Sequence, residues 1–287
     1  MKYCAVLTMD NLVESNNEDK LLDQPMLDIG WKTEHVSWRS SSVKWEKYQA
    51  VIIRSTWDYQ DNADAFIQVL SDIENSSVQL LNPLKIAKWN INKQYLKEVS
   101  QKGAEIIPTI WVDRFEFDKI DFYFQLFNTK QIVIKPTISA NSENTFWIDK
   151  ATYSDSRDEL IQSLNDKQLM VQPFIPAIIE EGEYSLFYFA DQLSHCVLKT
   201  PKKGDFRVQE DYGSTLTKVQ ANQGLQKAGS KALQSLPEKV LYARIDLVEY
   251  QGSYKLMEIE LIEPSLYFNL DETAPERFVK AFENWHK

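Results

Sequence analysis

The chain has 287 residues, 43% of them hydrophobic and 26% charged, an ordinary globular composition with length for two domains or one large one. Its 32 Lys and Arg against 42 Asp and Glu leave a formal charge of −10, which argues against a free-standing nucleic-acid binder without excluding a local basic pocket for phosphates. No apolar run approaches the roughly 20 residues of a membrane span, so no membrane partner is expected.

The runs "YCAVLTM" at residues 3–9 and "AVIIRS" at 50–55 are apolar and of strand length. The first reads as a buried strand and not as a signal peptide, because one lysine precedes it and acid follows. In "NADAFIQVLSDIEN", Ala65, Phe66, Val69, Leu70 and Ile73 recur at helical spacing on one face. Strand, crossover, strand and helix in that order predict a small parallel α/β domain over residues 1–85. Pro83 in "LLNPLKIAKWN" marks its exit.

"NINKQYLKEVSQKG" predicts a helix capped by Asn90 or Asn92 and ended by Gly103. Strands are expected at "IIPTIWV", "QIVIKPTI" and "QLMVQPFI", with a helix at "RDELIQSLND". Beyond them the chain becomes strand-rich in "EYSLFYFA", "QLSHCVLKT", "LYARIDLVEY" and "YKLMEIELIEP", with turns at Asp191–Gln192 and at "QGS". Helix returns in "QGLQKAGSKALQSL" and "APERFVKAFENW". Residues 86–170 are expected to form a middle subdomain and 171–287 a larger one. Cys4 and Cys196 sit in apolar strand-like segments without a CxxC pattern, so they read as buried thiols of a cytoplasmic protein. The three scattered histidines give no metal set. No repeat or heptad stands out, which leaves a homodimer open as an assembly.

The segment "LMEIELIEPSLYF" at 256–268 places Glu258, Glu260 and Glu263 in an otherwise apolar run. Residues two apart share a strand face, so Glu258 and Glu260 project together. Carboxylates that close repel and are costly to keep ionised away from open water. Asp246, on the strand leading into the same hairpin, would stand opposite them. Three carboxylates around one point suit Mg²⁺ that also holds substrate phosphates. A solvated edge strand gives the same alternation, so the surrounding cations decide between the two readings. Lys135 is the sole charge at the end of a buried-looking strand, where a lysine is rare unless paired or snorkelling to water. Lys93 falls in the first turn of the expected helix, beside an N-terminus that favours a bound anion, unless it is simply a surface lysine. Lys199, Lys202, Lys203 and Arg207 form a basic cluster around a turn at Gly204–Asp205, a pattern shared with solvated turns.

A lysine near a helix start, then "VIKP", "MVQPFI", "GEYSLF", "KGDFR", "RIDLV" and "MEIELIEPS", occur in that order over residues 90–265. The series resembles the ATP-grasp carboxylate–amine ligases, in particular their glutathione-synthetase-like and ribosomal-protein glutamate-ligase branch. "RSTWDY", "GDFRVQE" and "LIEPSL" are similar to the cyclo-ligase group of D-cycloserine biosynthesis. The resemblance implies a mixed α/β and α+β architecture, an ATP-grasp fold behind an N-terminal parallel α/β (pre-ATP-grasp) domain. It implies ATP and Mg²⁺, with two ions to accommodate Glu260 where most relatives have asparagine. Lys93 and Lys135 match the nucleotide-phosphate lysines, and Lys199 falls in the nucleotide-binding group. Gln172, with the backbone of Phe174 and Ile175, matches the adenine hinge, and Glu183 matches the ribose-binding acid. Asp246, Glu258 and Glu260 match the metal ligands. Arg207 and Arg244 match arginines at the transferred phosphate and acyl intermediate.

The loop after Lys135, normally glycine-rich, here reads "PTISANSENTFWI", where Ser139, Asn141, Ser142, Asn144 and Thr145 could donate hydrogen bonds instead. Phosphoryl transfer needs positioning and charge neutralisation more than a protein nucleophile, which suits a chain without a Ser/His/Asp or Cys/His set. The expected activity is a ligase that activates a small amino-acid-like carboxylate as an acyl phosphate and closes an amide or ring bond. A nucleotide-binding protein without turnover, an enzyme that stops at a phosphorylated product, and a peptide- or protein-tail ligase are the alternatives. Substrate contacts are expected from Arg54, Ser55, Thr56 and Asp58 at a strand's carboxyl end, and from Ser265 and Tyr267. Arg54 would hold a carboxylate and Asp58 an amino group, unless the two pair with each other.

Overall fold

The computed structural model describes residues 1–12, 18–139 and 142–286. Four parallel strands open the chain, β1 (Lys2–Thr8), β2 (Trp31–Ser37), β3 (Ala50–Ser55) and β4 (Gln79–Leu81), in the order β2-β1-β3-β4. Helix α1 (Asp23–Asp28) precedes β2, and α2 (Ala63–Asn75) lies between β3 and β4. Every residue of β3 is buried, because a parallel strand covered on both faces has no solvent side to alternate with. Asn62 caps α2 by accepting from the Ala65 N–H at 3.2 Å. Phe66, Leu70 and Ile73 are fully buried, while Ala65 and Val69 lie at the rim of the same core.

The helix expected over residues 90–103 begins later, as α4 (Tyr95–Gln101), and a separate short helix, α3 (Leu84–Asn90), precedes it where only a domain exit was expected. The break has a cause: the Lys93 N–H donates to the carbonyl of Thr137 at 2.7 Å, outside any helical ladder. Lys93 therefore sits in the turn before α4 and not within its first turn. Ile86, Tyr95 and Leu96 share a core with Leu186, Ile245 and Ile259 of the third sheet described below, together with Met170 of the second, while Leu84 and Ala87 join the core of the first sheet.

The second sheet is antiparallel, with β5 (Ile110–Val112), β6 (Gln131–Pro136), β7 (Phe146–Asp149) and β8 (Leu169–Pro173) in the order β5-β8-β6-β7. Helices α5 (Ile120–Phe127) and α6 (Arg157–Leu164) share its core through Ile120, Phe124, Leu160 and Leu164. After the short α7 (Ala177–Glu180), the third sheet is antiparallel: β9 (Glu183–Phe189), β10 (Gln192–Thr200), β11 (Thr215–Val219), β12 (Tyr242–Tyr250) and β13 (Ser253–Glu260). Its order is β11-β10-β9-β12-β13. Helices α8 (Gln223–Gln234) and α9 (Ala274–Trp285) complete the chain. The β12–β13 turn uses Gln251 and Gly252 at φ 55° and 80°, the left-handed pair that a two-residue hairpin requires. The β9–β10 turn falls on Ala190–Asp191, one residue before the expected pair.

Strand β13 lies at the sheet edge, and side chains take up part of its free edge. The Tyr95 hydroxyl donates to the Ile259 carbonyl at 2.9 Å and accepts the Ile259 N–H at 2.7 Å. Asn90 donates to that carbonyl at 2.8 Å and accepts the Leu261 N–H at 2.9 Å. Asn82, fully buried, ties the first sheet to the third. Its amide donates to the carbonyls of Tyr242 (2.9 Å) and Leu261 (2.8 Å) and accepts from the Leu241 N–H (2.7 Å). Asn82→Ala strands three buried backbone groups, so a loss of roughly 2–5 kcal/mol is expected, read as a lowered urea midpoint.

Candidate active site

The register of the third sheet sets charged residues side by side on one face. Asp246 pairs across strands with Glu258 on one side and Ser185 on the other, Arg244 with Glu260, and Lys199 with Glu183. Asp246 thus stands opposite Glu258 as expected, while Arg244 occupies the place opposite Glu260. The Arg244 guanidinium donates to Asp246 from Nε at 3.1 Å and from Nη2 at 3.1 Å, and it also contacts Glu260. Lys199 joins Glu183 and lies 3.6 Å from Asp246, and the Ser185 hydroxyl donates to Asp246 at 2.5 Å. Burial alone would raise the Asp246 carboxyl pKa, but Arg244 and Lys199 outweigh it and hold it below the usual carboxylate range. A side chain at Gly182 (φ +119°) would place its Cβ 2.5 Å from the Lys199 carbonyl, so glycine permits the close approach that puts Glu183 beside Lys199.

These groups face a cavity of about 520 Å³. Lys93 enters it from the α3–α4 turn, with Nζ 3.0 Å from Glu258 and 2.6 Å from the Ser139 carbonyl. Lys135, at the end of β6, has no hydrogen-bond or ion-pair partner among the described residues; burial lowers its ammonium pKa, with Glu258 opposing. The loop that follows turns without glycine, using Ser142 at φ 58° and Asn144 at φ 52°. Ser139, Ser142 and Thr145 line the cavity, and Asn141 lies outside the described residues. Gln172, Phe174 and Ile175 line its other wall, with the Gln172 amide donating to Thr109 at 2.9 Å. Trp147 stacks on Phe174 at 4.3 Å, and Phe206 meets both rings edge-on. Arg207 reaches the cavity while held by Asp205 (Nη2 to Oδ2 2.7 Å) and lying 3.6 Å over the Tyr212 ring. Lys202 and Lys203, grouped with Arg207 in the sequence, are exposed and do not line the cavity.

The first sheet contributes Arg54 and Ser55 to the same cavity, facing Ser265 and Tyr267. Arg54 does not pair with Asp58. Its Nε donates to Asp19 at 2.8 Å and its Nη2 to the Pro264 carbonyl at 2.7 Å, while the Ser55 hydroxyl also contacts Asp19. Asp58 instead accepts from Arg39 (2.8 Å) and the Trp38 indole (2.7 Å), and it does not line the cavity. Thr56 is fully buried and likewise outside the lining. Past the strand end the chain turns, with the Tyr59 N–H donating to the Thr56 carbonyl at 3.0 Å, so that Trp57 and Tyr59 line the cavity while Thr56 and Asp58 do not. Glu18, Asp19 and Trp57, given no role from the sequence, also converge here, as does Glu263, which stood out in the acidic run but was given no role. Trp57 donates to the Glu263 carbonyl at 3.0 Å. The one sequence signal for Glu263 is a lone charge between Ile262 and Pro264.

Among the described residues no three acids stand close enough together to hold an ion as they are. Each expected ligand is turned onto a cation: Asp246 and Glu260 onto Arg244, Glu258 onto Lys93. The donor chemistry, carboxylate oxygens at neighbouring positions of one hairpin, nonetheless fits Mg²⁺.

Burial, with like charges added, pushes Glu18 and Glu260 up to about 7 and Glu263 up to about 8, from an ordinary 4.5. The folded state therefore holds protons that the unfolded chain releases, so stability is gained on acidification and lost as pH rises through 7 and 8. The metal-free protein should melt several degrees lower at about pH 8.5 than at about pH 6, with each kcal/mol worth roughly 2–4 °C. Glu263→Gln should flatten that slope in a calorimetric pH series.

Comparison with known proteins identifies the fold and the family. Residues 4–82 match the family described as "D-cycloserine synthetase DcsG, N-terminal domain", and residues 91–274 match "Prokaryotic glutathione synthetase, ATP-grasp domain". The chain is 26% identical over 270 residues to the cycloserine biosynthesis protein DcsG of Streptomyces lavendulae, covering 88% of each. The crystal structure of D-cycloserine synthetase DcsG superposes with a TM-score of 0.88 at 23% identity, covering 99% of this chain and 100% of that one. The ATP-grasp ligase PsnB, solved with a phosphomimetic variant of its minimal precursor, Mg and ADP, gives 0.67 at 12% identity, covering 99% of this chain and 98% of that one. The protein belongs to the glutathione-synthetase-like ATP-grasp family, ligases that use ATP and Mg²⁺ to form carbon–nitrogen bonds.

Proposed function

We propose that the protein uses ATP and two Mg²⁺ ions to convert the carboxylate of a small amino-acid-like substrate into an acyl phosphate, which an amine then captures as an amide or a closed ring. The observation that carries this reading is the alternation of Lys93, Lys199 and Arg244 with Glu183, Asp246, Glu258 and Glu260 in one cavity. Such a site is neutral enough to fold empty, and each of its ion pairs can be exchanged. Lys93, Lys135 and Lys199 would then turn to the phosphate chain, and Asp246, Glu258 and Glu260 would hold the Mg²⁺, which would supply charge neutralisation to the phosphates. Phe174 and Ile175 flank the adenine, and Glu183 takes the ribose hydroxyls.

Arg207 and Arg244 stabilise charge on the transferred phosphoryl group while a substrate carboxylate oxygen attacks the γ-phosphorus and ADP leaves. The amine then attacks the acyl carbon and the carbon–oxygen bond to phosphate breaks. Arg54, Ser55, Ser265 and Tyr267 hold the substrate. The likeness to a cycloserine synthetase supports a small-molecule acceptor over a protein tail. Two buried free thiols support a cytoplasmic setting. The subdomain limits 1–85, 86–170 and 171–287 are proposed for this assembly, with the helices at 84–101 packing against both the third sheet and the first.

ADP release with Mg²⁺ and ATP, across a panel of amino acids, ureido-amino acids and dipeptides, should rise with one substrate class. Glu258→Gln should lower that turnover by roughly 10²- to 10³-fold, with some loss of stability because Lys93 is left buried without its carboxylate partner. Substrate-independent silence in the wild type, with ATP still raising the melting temperature, would contradict ligase turnover.

A further inference from the structure

The cavity has two chemically different ends. Lys93, Lys135 and Lys199 mark one, and the strand end of the first sheet marks the other. At the second end, two groups are left over after internal pairing. Arg54 is only 2% exposed and uses Nε on Asp19 and Nη2 on Pro264, yet its buried Nη1 has no hydrogen-bond partner among the described residues. Glu263 lines the same cavity, and its carboxylate makes no hydrogen bond or ion pair among the described residues.

Both groups belong to one fixed unit. Arg54 holds the carbonyl of Pro264, and Trp57, three residues along, holds the carbonyl of Glu263. Of the two, Glu263 opens onto the cavity as an acceptor without a donor, while the Nη1 of Arg54 is enclosed by protein. An acid facing a half-enclosed cavity without a partner is costly, and a ligand that brings a donor relieves it. Asp58, the acid first expected to receive an amino group, is spent on Arg39 and Trp38.

We propose that Glu263 is the specificity-determining residue of this site, accepting the free ammonium of a zwitterionic substrate whose carboxylate points to the lysine end of the cavity. The inference rests on the ligase reading for its substrate class but not for its test, which measures binding. Calorimetric titration in the presence of Mg²⁺ and ADP would compare serine, alanine and 2,3-diaminopropionate, in both enantiomers, with glycerate and lactate. ADP release with ATP would be followed in parallel.

The wild type should bind at least one amino acid more tightly than its 2-hydroxy counterpart. Glu263→Gln should weaken the amino acid by roughly 10- to 100-fold while leaving ADP affinity unchanged, and Glu263→Asp should keep the preference for the ammonium. Equal affinity for amino and hydroxy acids in the wild type, or a preference that survives in Glu263→Gln, would overturn the assignment. So would failure of every compound to bind. Amino-acid binding that depends on Glu263 without any ADP release would uphold it and sink the ligase reading instead.

Discussion

Arg244 lies between Asp246 and Glu260, and the arrangement of the site depends on that contact. A hairpin that places acids at Asp246, Glu258 and Glu260 cannot be buried with those charges uncompensated. The strand register supplies the answer locally, because the residue two before Asp246 is an arginine that faces Glu260. Lys199 does the same for Glu183 and Asp246 from the neighbouring strands. The resulting ladder is stable without metal, yet it consists of ion pairs whose members each have a second natural partner in a magnesium nucleotide. Removing one member would leave a buried charge behind, which costs more than the pair itself contributes.

Such a ladder is useful only if the substrate end is held at a fixed distance from it. That is the work of the contacts between the first and third sheets. The Tyr242 hydroxyl lies 2.6 Å from the Ile53 carbonyl and 2.9 Å from that of Ile262, so it bridges the strand ending in Arg54 and the segment leaving Glu260. Arg54 and Trp57 grip the next two carbonyls, and Asn82 fastens the base of the same region. The residues proposed to hold substrate and metal are therefore tied into one connected assembly, as the proposed acyl transfer would require.

Much of this was legible in the amino-acid sequence because it depends on short periods. Alternation in "MEIELIEP" and the nearby hairpin turn put Glu258 opposite Asp246 before any coordinates were needed. The parallel first sheet followed from unbroken apolar runs and one amphipathic helix. What was not legible depends on partners far apart in the chain. Asp19 claims Arg54 across 35 residues and Arg39 claims Asp58 across 19, so the local pattern "RSTWD" suggested a pairing that does not form. The helix break at Lys93 likewise comes from the carbonyl of Thr137, which no propensity scale can see. Glu263 was visible as a charge in an apolar run but carried no assignable role, because strand alternation ends at Glu260 and its place is set by contacts of Trp57 and Arg54 with the Glu263 and Pro264 carbonyls.

The central claim is that Asp246, Glu258 and Glu260 exchange their lysine and arginine partners for metal when nucleotide enters. A crystal structure with Mg²⁺ and a non-hydrolysable ATP analogue tests it most directly. Oxygens of these carboxylates should lie about 2.0–2.1 Å from magnesium, with Lys93 and Arg244 turned to phosphate oxygens. Nucleotide bound with Lys93 still on Glu258 and Arg244 still on Glu260, and metal held elsewhere or not at all, would contradict it.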